Sequence, residues 1–169
     1  DSDVDTYAEA ARYLALQGYY VFRMGAKVAK PFNADDSRVI DYATKHRSDF
    51  MDVYLAAKCE FAISNGCGLD AVCTAFRRPV VYVNYVPIEY LSTWNPGSLA
   101  IWKHHEQDGK RMTLAEIYES GAGKFLATPD FIEAGITLVD NTPAEITAVV
   151  REMVFRIEDY AAPPSWTQA

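Results

Sequence analysis

The chain has few cysteines and histidines, and their spacing argues against common metal and disulfide frameworks. Three cysteines and three histidines occur among 169 residues. An odd number of cysteines without a C-x-x-C pair is not typical of a disulfide framework, and no histidine stands at zinc spacing from a cysteine. We therefore expect no metal and no cofactor, and we expect a reducing cytoplasm as the compartment.

Long apolar runs and an excess of positive charge are also absent. No apolar stretch approaches the roughly 20 residues that a transmembrane helix needs, and nothing resembles a signal peptide. The formal net charge is −7, which argues against a general nucleic-acid binder. Residues 23–47 are an exception, with six basic side chains against three acidic ones. This basic island favours a small anionic ligand, although a solvated loop would have the same composition.

Hydrophobic residues are abundant and predict a folded domain. They make up 50% of the chain, including eleven tyrosines, which excludes intrinsic disorder. The length predicts a single domain over residues 1–160, followed by a C-terminal tail over 161–169 that contains Pro163-Pro164-Ser165. The abrupt start at Asp1-Ser2-Asp3 leaves open that the chain is a fragment of a longer protein.

Helix and strand patterns alternate along the chain. The predicted helices cover residues 4–17, a segment from 48 or 49 to about 58, a short segment that begins after residue 68 and ends at 76, one that begins at 113 and ends before 121, and one that begins at 142. Strands are predicted over 19–23, 39–42, 61–63, 80–83, 99–102 and 136–139. Because these strands are continuous apolar runs, both faces of their sheet are expected to be covered. The pattern predicts an α/β fold: a three-layer sandwich with a Rossmann-like, mostly parallel sheet and helices on both faces.

Polar residues and glycines gather where the predicted strands end. In parallel α/β sheets, ligands bind beyond the carboxyl ends of the strands. Those ends are Arg23-Met24-Gly25, Asp41-Tyr42, Ser64-Asn65-Gly66, Asn84-Tyr85 and Asp140-Asn141. This edge of the sheet is therefore the predicted ligand site.

The turn Ser64-Asn65-Gly66-Cys67-Gly68, followed by Leu69, is the strongest candidate within that edge. A strand that passes through small residues into a helix leaves backbone N–H groups free, and the helix dipole favours an anion there. The turn matches neither the dinucleotide fingerprint nor a Walker A sequence. It predicts a phosphate cradle, and a tight turn without a ligand is the alternative.

Charged partners for this cradle come from the basic island. Arg23, beside Gly25, has a guanidinium suited to clamping a phosphate, and Lys27 and Lys30 would add charge from a loop. An ion pair between Arg23 and Asp41 is the alternative for that arginine. Solvated surface is the alternative for the lysines.

Other reactive side chains give weaker indications. Cys67 stands where a helix dipole would lower a thiol pKa, so a nucleophilic role is considered, but no histidine lies nearby in sequence. The adjacent His104 and His105 point in different directions on a strand or loop, so they do not predict a metal site. Exposed Tyr90, Trp94 and Trp102 are predicted to cover a partner domain or a contact in a homo-oligomer.

A family resemblance follows from the order of several segments. They are residues 18–25 (Gly18-Tyr19-Tyr20-Val21-Phe22-Arg23-Met24-Gly25), 40–43, 47–52, 64–68, 79–84 and 141–146. Together they span nearly the whole chain, which resembles a bacterial family of predicted glycosyltransferases. That family is similar to the two-domain GT-B architecture, whose C-terminal half holds the nucleotide-sugar donor. Asn65 and Cys67 depart from the family's Gly/Ser/Thr-rich turn, which weakens side-chain hydroxyl contacts but leaves the backbone cradle.

The resemblance implies a function and a division of labour. This chain would be the donor-binding half of an enzyme that moves a sugar from a nucleotide diphosphate to an unknown acceptor. Arg23, Gly25, Lys27 and residues 64–69 would hold the diphosphate, and the nucleoside contacts would be Asp41, Tyr42, Asn84 and Tyr85. The catalytic residues stay unknown, because the base is expected in a missing N-terminal acceptor domain. A nucleotide-sugar epimerase and a non-enzymatic interaction module are the alternatives.

Overall fold

The computed structural model describes residues 2–161 and shows a mixed α/β fold. The predicted tail lies outside the described residues except for Ala161, which ends the last helix. The α-helices are α1 Ala8–Leu16, α2 Tyr42–Lys45, α3 Asp49–Lys58, α4 Asp70–Ala75, α5 Leu114–Glu119, α6 Thr128–Glu133 and α7 Pro143–Ala161. Short 3-10 helices cover Val4–Tyr7, Ile88–Tyr90 and Ala122–Lys124. None of the helices within residues 2–161 has the length and apolar character that a membrane crossing requires.

The strands form parallel pairs in the first part of the chain and antiparallel pairs in the second. They are β1 Val21–Phe22, β2 Val39–Ile40, β3 Ala62–Ser64, β4 Val80–Tyr85, β5 Leu99–Trp102, β6 His104–Gln107, β7 Lys110–Arg111 and β8 Ile136–Val139. Strand β1 pairs with β2, and β4 lies between β3 and β5, all in parallel. Strand β6 pairs antiparallel with both β7 and β8. The parallel arrangement is therefore confirmed for the first five strands only.

Local signals explain where the clearest helices begin and end. Helix α1 ends in a Schellman motif: the N–H of Gly18 donates to Ala15 and the N–H of Tyr19 donates to Leu14, each over 3.0 Å. Gly18 has φ of +92°, which glycine adopts without steric cost. The predicted capping box before α5 is present, with Thr113 and Glu116 each satisfying the other's backbone N–H.

The main core joins α7 and α1 to the middle parallel strand. It contains Ala10 and Leu14 of α1, Val81 and Val83 of β4, and Ile146, Val150, Met153 and Val154 of α7. Fully burying each large apolar side chain contributes about 1.5–3 kcal/mol. The apolar stripe on the last helix therefore holds α1 and β4 together, as its spacing predicts.

A second core lies under the antiparallel strands. It contains Ile88, Ile117, Ala122, Phe131 and Ile136. Trp102 packs against this cluster, so the prediction that it is exposed was wrong. Tyr90 and Trp94 are exposed, at 59% and 65% of their surface.

Several predicted boundaries differ from the structure. Strand β4 continues through Asn84 to Tyr85, so Asn84 lies inside the strand rather than after it. Tyr42 begins helix α2 instead of ending strand β2. Strands β6 and β7 and helix α6 were not predicted.

Candidate functional site

A cavity of about 210 Å³ lies where β3, β4 and β5 end. Three polar residues at these strand ends line the cavity. Asn65 directly follows β3, Asn84 is the second-last residue of β4, and Lys103 directly follows β5. Ser2 and Thr128 add hydroxyl groups to the same wall. This is the edge at which parallel α/β sheets bind ligands.

The opposite wall is apolar and comes from the antiparallel part of the chain. Phe125, Leu126, Phe131 and Leu138 line it, together with Val86 and Pro87. Ligand pockets combine such walls with a few polar groups, and their volumes start at about 300 Å³. At about 210 Å³, the cavity has room for part of a nucleotide sugar rather than for all of it.

Lys103 supplies a positive charge to the polar side of the cavity, where the strands end. Its side chain is 17% exposed, and its ammonium lies 2.7 Å from Asp140 Oδ1. Asp140 is more open, at 37% exposed, and it follows β8. An anionic ligand would compete with a single, partly exposed carboxylate for Lys103.

Asn84 is held by a reciprocal pair of hydrogen bonds with Asn141, which we call the asparagine clasp. The backbone N–H of Asn84 donates to Asn141 Oδ1 over 2.6 Å, and the N–H of Asn141 donates to Asn84 Oδ1 over 2.5 Å. Asn141 Nδ2 donates to the Trp102 carbonyl, and Asn84 Nδ2 donates to Ser2 Oγ. Both residues are at least 97% buried. The clasp occupies Asn84 Oδ1 and Ser2 occupies Nδ2, so this residue shapes the cavity wall.

The turn after β3 is organised by Ser64. Its Oγ accepts the N–H groups of Gly66 (3.1 Å) and Cys67 (3.4 Å) and donates to Asp70 Oδ2 over 2.6 Å. Burial raises the pKa of Asp70, and the hydrogen bonds from Ser64 and the Cys67 backbone partly oppose this. Two of the predicted cradle donors are therefore already occupied within the turn. The N–H groups of Gly68 and Leu69 make no hydrogen bond to any residue in 2–161.

Gly66 is required by its surroundings. Its φ is +84°, and a Cβ there would lie 3.0 Å from the ring of Tyr85. Tyr85 in turn donates its hydroxyl to the carbonyl of Tyr90 over 3.2 Å. The turn is therefore packed on the end of β4, which brings the predicted residues 64–69, Asn84 and Tyr85 into one region.

Arg23 and Asp41 form an ion pair at the end of β1. The Arg23 guanidinium lies 3.3 Å from Asp41 Oδ1 and also donates to the carbonyl of Lys30 over 3.2 Å. Burial opposes ionisation of Asp41, yet hydrogen bonds from Thr44 and the Phe32 N–H, together with Arg23, hold its pKa below the usual value. This pair fixes the loop after β1.

The other predicted residues of the basic island lie in this same loop region or face inward. A Cβ on Gly25 would lie 2.8 Å from Val28 Cγ1, so glycine lets the loop fold back on itself. Lys27 is exposed, and Lys30 binds Asp3 and Asp5 at 2.6 Å each. Tyr42 is buried, and its hydroxyl bonds with Ser48 and Asp52. Within residues 2–161, no hydrogen bond or ion pair links Arg23 to residues 64–69.

A buried histidine stands behind the cavity wall. His105 Nδ1 lies 2.9 Å from the carbonyl of Lys103, which makes Nδ1 the protonated nitrogen, and the ring packs edge-on against Phe131. Its Nε2 has no hydrogen-bond partner among residues 2–161. Burial lowers the pKa of His105, so the ring is neutral near pH 7.

Lys103 and Thr128 are cavity residues that the sequence prediction missed. Lys103 directly follows the correctly predicted strand over 99–102, so the strand-end rule applied there would have found it. Thr128 begins the unpredicted helix α6, whose first turn contains Pro129 and Asp130; these helix-start signals were present in the sequence but were not used. Within residues 2–161, no three His, Cys, Asp or Glu side chains are grouped to hold a metal ion.

Comparisons of the chain with protein-family models, with curated proteins and with solved structures find no match. Membership of the glycosyltransferase family therefore stays a prediction from the sequence.

Proposed function

We propose that this chain is the donor-binding half of a GT-B-like glycosyltransferase, with a Rossmann-like three-layer sandwich that holds a nucleotide-sugar diphosphate. The observation that carries the proposal is the cavity at the ends of β3, β4 and β5. Asn65 and Asn84, both predicted as donor contacts, line it. The segment resemblance supports the same reaction class.

Lys103 is the cation that we assign to the diphosphate. It lines the same cavity as Asn65 of the turn, whereas the guanidinium of Arg23 is engaged by Asp41 and the Lys30 carbonyl. The N–H groups of Gly68 and Leu69, which bond to no residue in 2–161, are the backbone donors that the turn would add. Fixed donors and a cation stabilise the negative charge that grows on a departing diphosphate, which is an electrostatic form of catalysis.

Reaction chemistry beyond leaving-group stabilisation is assigned to a second domain. The cavity holds part of a donor, so an acceptor domain would complete the site and supply the base. Alone, the chain should bind nucleotide weakly and transfer no sugar.

Calorimetric titration with UDP, GDP and ADP tests the proposal. At least one nucleotide should bind, and Lys103→Met should weaken that binding about tenfold or more, since a charge-assisted hydrogen bond contributes about 1.5–3 kcal/mol. Lys110→Met is the matched control, because Lys110 is exposed on β7 and does not line the cavity. Asp140→Asn should leave binding intact or tighten it, because it removes the carboxylate that competes for Lys103.

The opposite results are equally clear. If none of the three nucleotides binds, the donor site is refuted and the interaction module becomes the better hypothesis. If Lys103→Met and Lys110→Met weaken binding equally, the effect is general charge rather than a site. Thermal melting of each variant shows that the folded fraction is unchanged.

A further inference from the structure

Two cysteines are packed side by side between helices α3 and α4. Cys59 follows the last residue of α3, and Cys73 lies in α4. Cys73 is 3% exposed and belongs to a core cluster with Ala56, Val80 and Tyr82, and Cys59 packs against that cluster. The Cys59 thiol donates to the carbonyl of Ala56 over 3.3 Å. The third cysteine, Cys67, is exposed in the turn after β3.

The surroundings favour ionisation of Cys59 over ionisation of Cys73. The neighbouring Cys73 thiol lowers the pKa of Cys59, and the guanidinium of Arg78 lowers it further, although burial acts in the opposite direction. Arg78 is held there because its Nε donates to the carbonyl of Ala57 over 2.9 Å. The neighbouring Cys59, together with burial, raises the pKa of Cys73. A half-buried cysteine with a lowered pKa that packs on the same cluster as a buried thiol is the arrangement of an attacking and a resolving cysteine.

We propose that Cys59 and Cys73 form a reversible disulfide when the protein meets a peroxide. This modification is independent of the nucleotide site proposed above.

The reaction proceeds in two balanced steps. The Cys59 thiolate attacks one oxygen of hydrogen peroxide, the O–O bond breaks, hydroxide leaves, and Cys59 becomes a sulfenic acid. Cys73 then attacks the Cys59 sulfur, the S–O bond breaks, and water leaves as the S–S bond forms. The two sulfurs lose two electrons, and one peroxide becomes two waters. Conversion of Cys59 to the sulfenic acid removes its negative charge, so one cause of the raised Cys73 pKa disappears before the second step.

The disulfide would close a loop that contains β3 and the turn over residues 64–69. Oxidation would thereby tie the end of α3 to α4 behind that turn. A closed loop restricts the unfolded chain, so the oxidised protein should be the more stable form provided that the bond forms without strain.

Peptide mapping after peroxide treatment tests the proposal. The protein is treated with hydrogen peroxide, alkylated, and digested with chymotrypsin, whose cleavage after Leu55, Phe61, Leu69 and Phe76 separates the three cysteines. The expected product links peptides 56–61 and 70–76, leaves Cys67 alkylated, and disappears on treatment with dithiothreitol. Trypsin is unsuitable, because residues 59–77 would stay in one peptide.

Variants complete the test. Cys67→Ser should still form the link, and Cys59→Ser should not. In Cys73→Ser, Cys59 should stop at a sulfenic acid that dimedone traps. The proposal is overturned if Cys67 takes part in the wild-type link, if Cys67 is oxidised before Cys59, or if peroxide leaves Cys59 reduced.

Discussion

Replacing Asn141 with alanine should cost a large share of the stability of this fold. Asn141 Oδ1 is the acceptor for the buried N–H of Asn84, and its Nδ2 is the donor to the carbonyl of Trp102. Alanine leaves both backbone groups without a partner. Each buried polar group that loses its partner costs about 1–3 kcal/mol, so we expect a loss of about 4 kcal/mol. Domains of this kind have about 5–15 kcal/mol in total.

Asn84→Gly also disrupts the asparagine clasp, but it should lower stability less than Asn141→Ala does. It removes the acceptor for the N–H of Asn141, but Asn84 has φ of +54°, where glycine is less strained than any other residue. A gain of about 1 kcal/mol from the backbone should offset part of the loss. Asn33→Ala is the control, since Asn33 is exposed and its side chain bonds, among residues 2–161, only with Asp35, so its effect should stay within about 0.5 kcal/mol.

Urea unfolding measures all three variants. The midpoint should fall most for Asn141→Ala, less for Asn84→Gly and hardly at all for Asn33→Ala, with an unchanged slope against urea concentration. A loss of less than about 1 kcal/mol for Asn141→Ala would refute the reasoning. It would mean that water or a backbone shift satisfies the two groups. If Asn141→Ala fails to fold, Asn84→Gly against Asn33→Ala still decides the ranking.

Three further predictions concern charged and titrating groups. Arg23→Met should lower stability by about 3 kcal/mol in thermal or urea melts, because Asp41 stays buried without its cation, and adding Asp41→Asn should recover part of the loss. The free energy of unfolding should fall as the pH drops below 6.5, the ordinary pKa of histidine, because the unfolded chain protonates His105 before the folded protein does. In melts across that pH range, His105→Leu should show a weaker dependence of stability on pH. The hydrogen bond from the Thr142 N–H holds the pKa of Glu145 at about 2; burial opposes this shift and His104 adds to it. The contribution of Glu145 to folding stability is therefore fully present above its ordinary pKa of 4.5 and disappears as the pH falls towards 2. Glu145→Gln should remove that acid dependence, by no more than about 1 kcal/mol because the side chain is 37% exposed; an unchanged acid limb would contradict the assignment.

The elements that the sequence predicts well are those with a strong local pattern. Helix α7 carries a complete cap at Thr142 and a continuous apolar stripe, and both depend only on neighbouring residues. Strands β3, β4, β5 and β8 are short apolar runs between turn residues, so their existence was predicted; the bounds of β5 and β8 are correct, and only the ends of β3 and β4 shifted. Asn84 was expected to end β4, but it stays in the strand because the asparagine clasp replaces ordinary pairing there.

Strands β6 and β7 could not be predicted because their stability is not local. Strand β6 is His104-His105-Glu106-Gln107, which has neither apolar alternation nor β-branched residues. It is a strand because β8, more than 25 residues later, supplies its hydrogen-bond partners. The apolar part of the cavity depends on that pairing, so only the part that lies at the ends of β3, β4 and β5, namely Asn65, Asn84 and Lys103, could be predicted. The sequence also left open whether Arg23 binds a ligand or Asp41, because that choice depends on a contact between separate elements of the fold.

Strands β5 and β6 are separated by Lys103 alone, so the polypeptide passes from the parallel sheet to the antiparallel one without a linker. Asn141 ties the chain together at the same level, through Asn84 on one side and Trp102 on the other. The two hydrophobic cores therefore share a covalent and a hydrogen-bonded joint at one place. Heat should melt them together in a single calorimetric transition, with a van't Hoff enthalpy equal to the measured one, even though these two apolar clusters are separate.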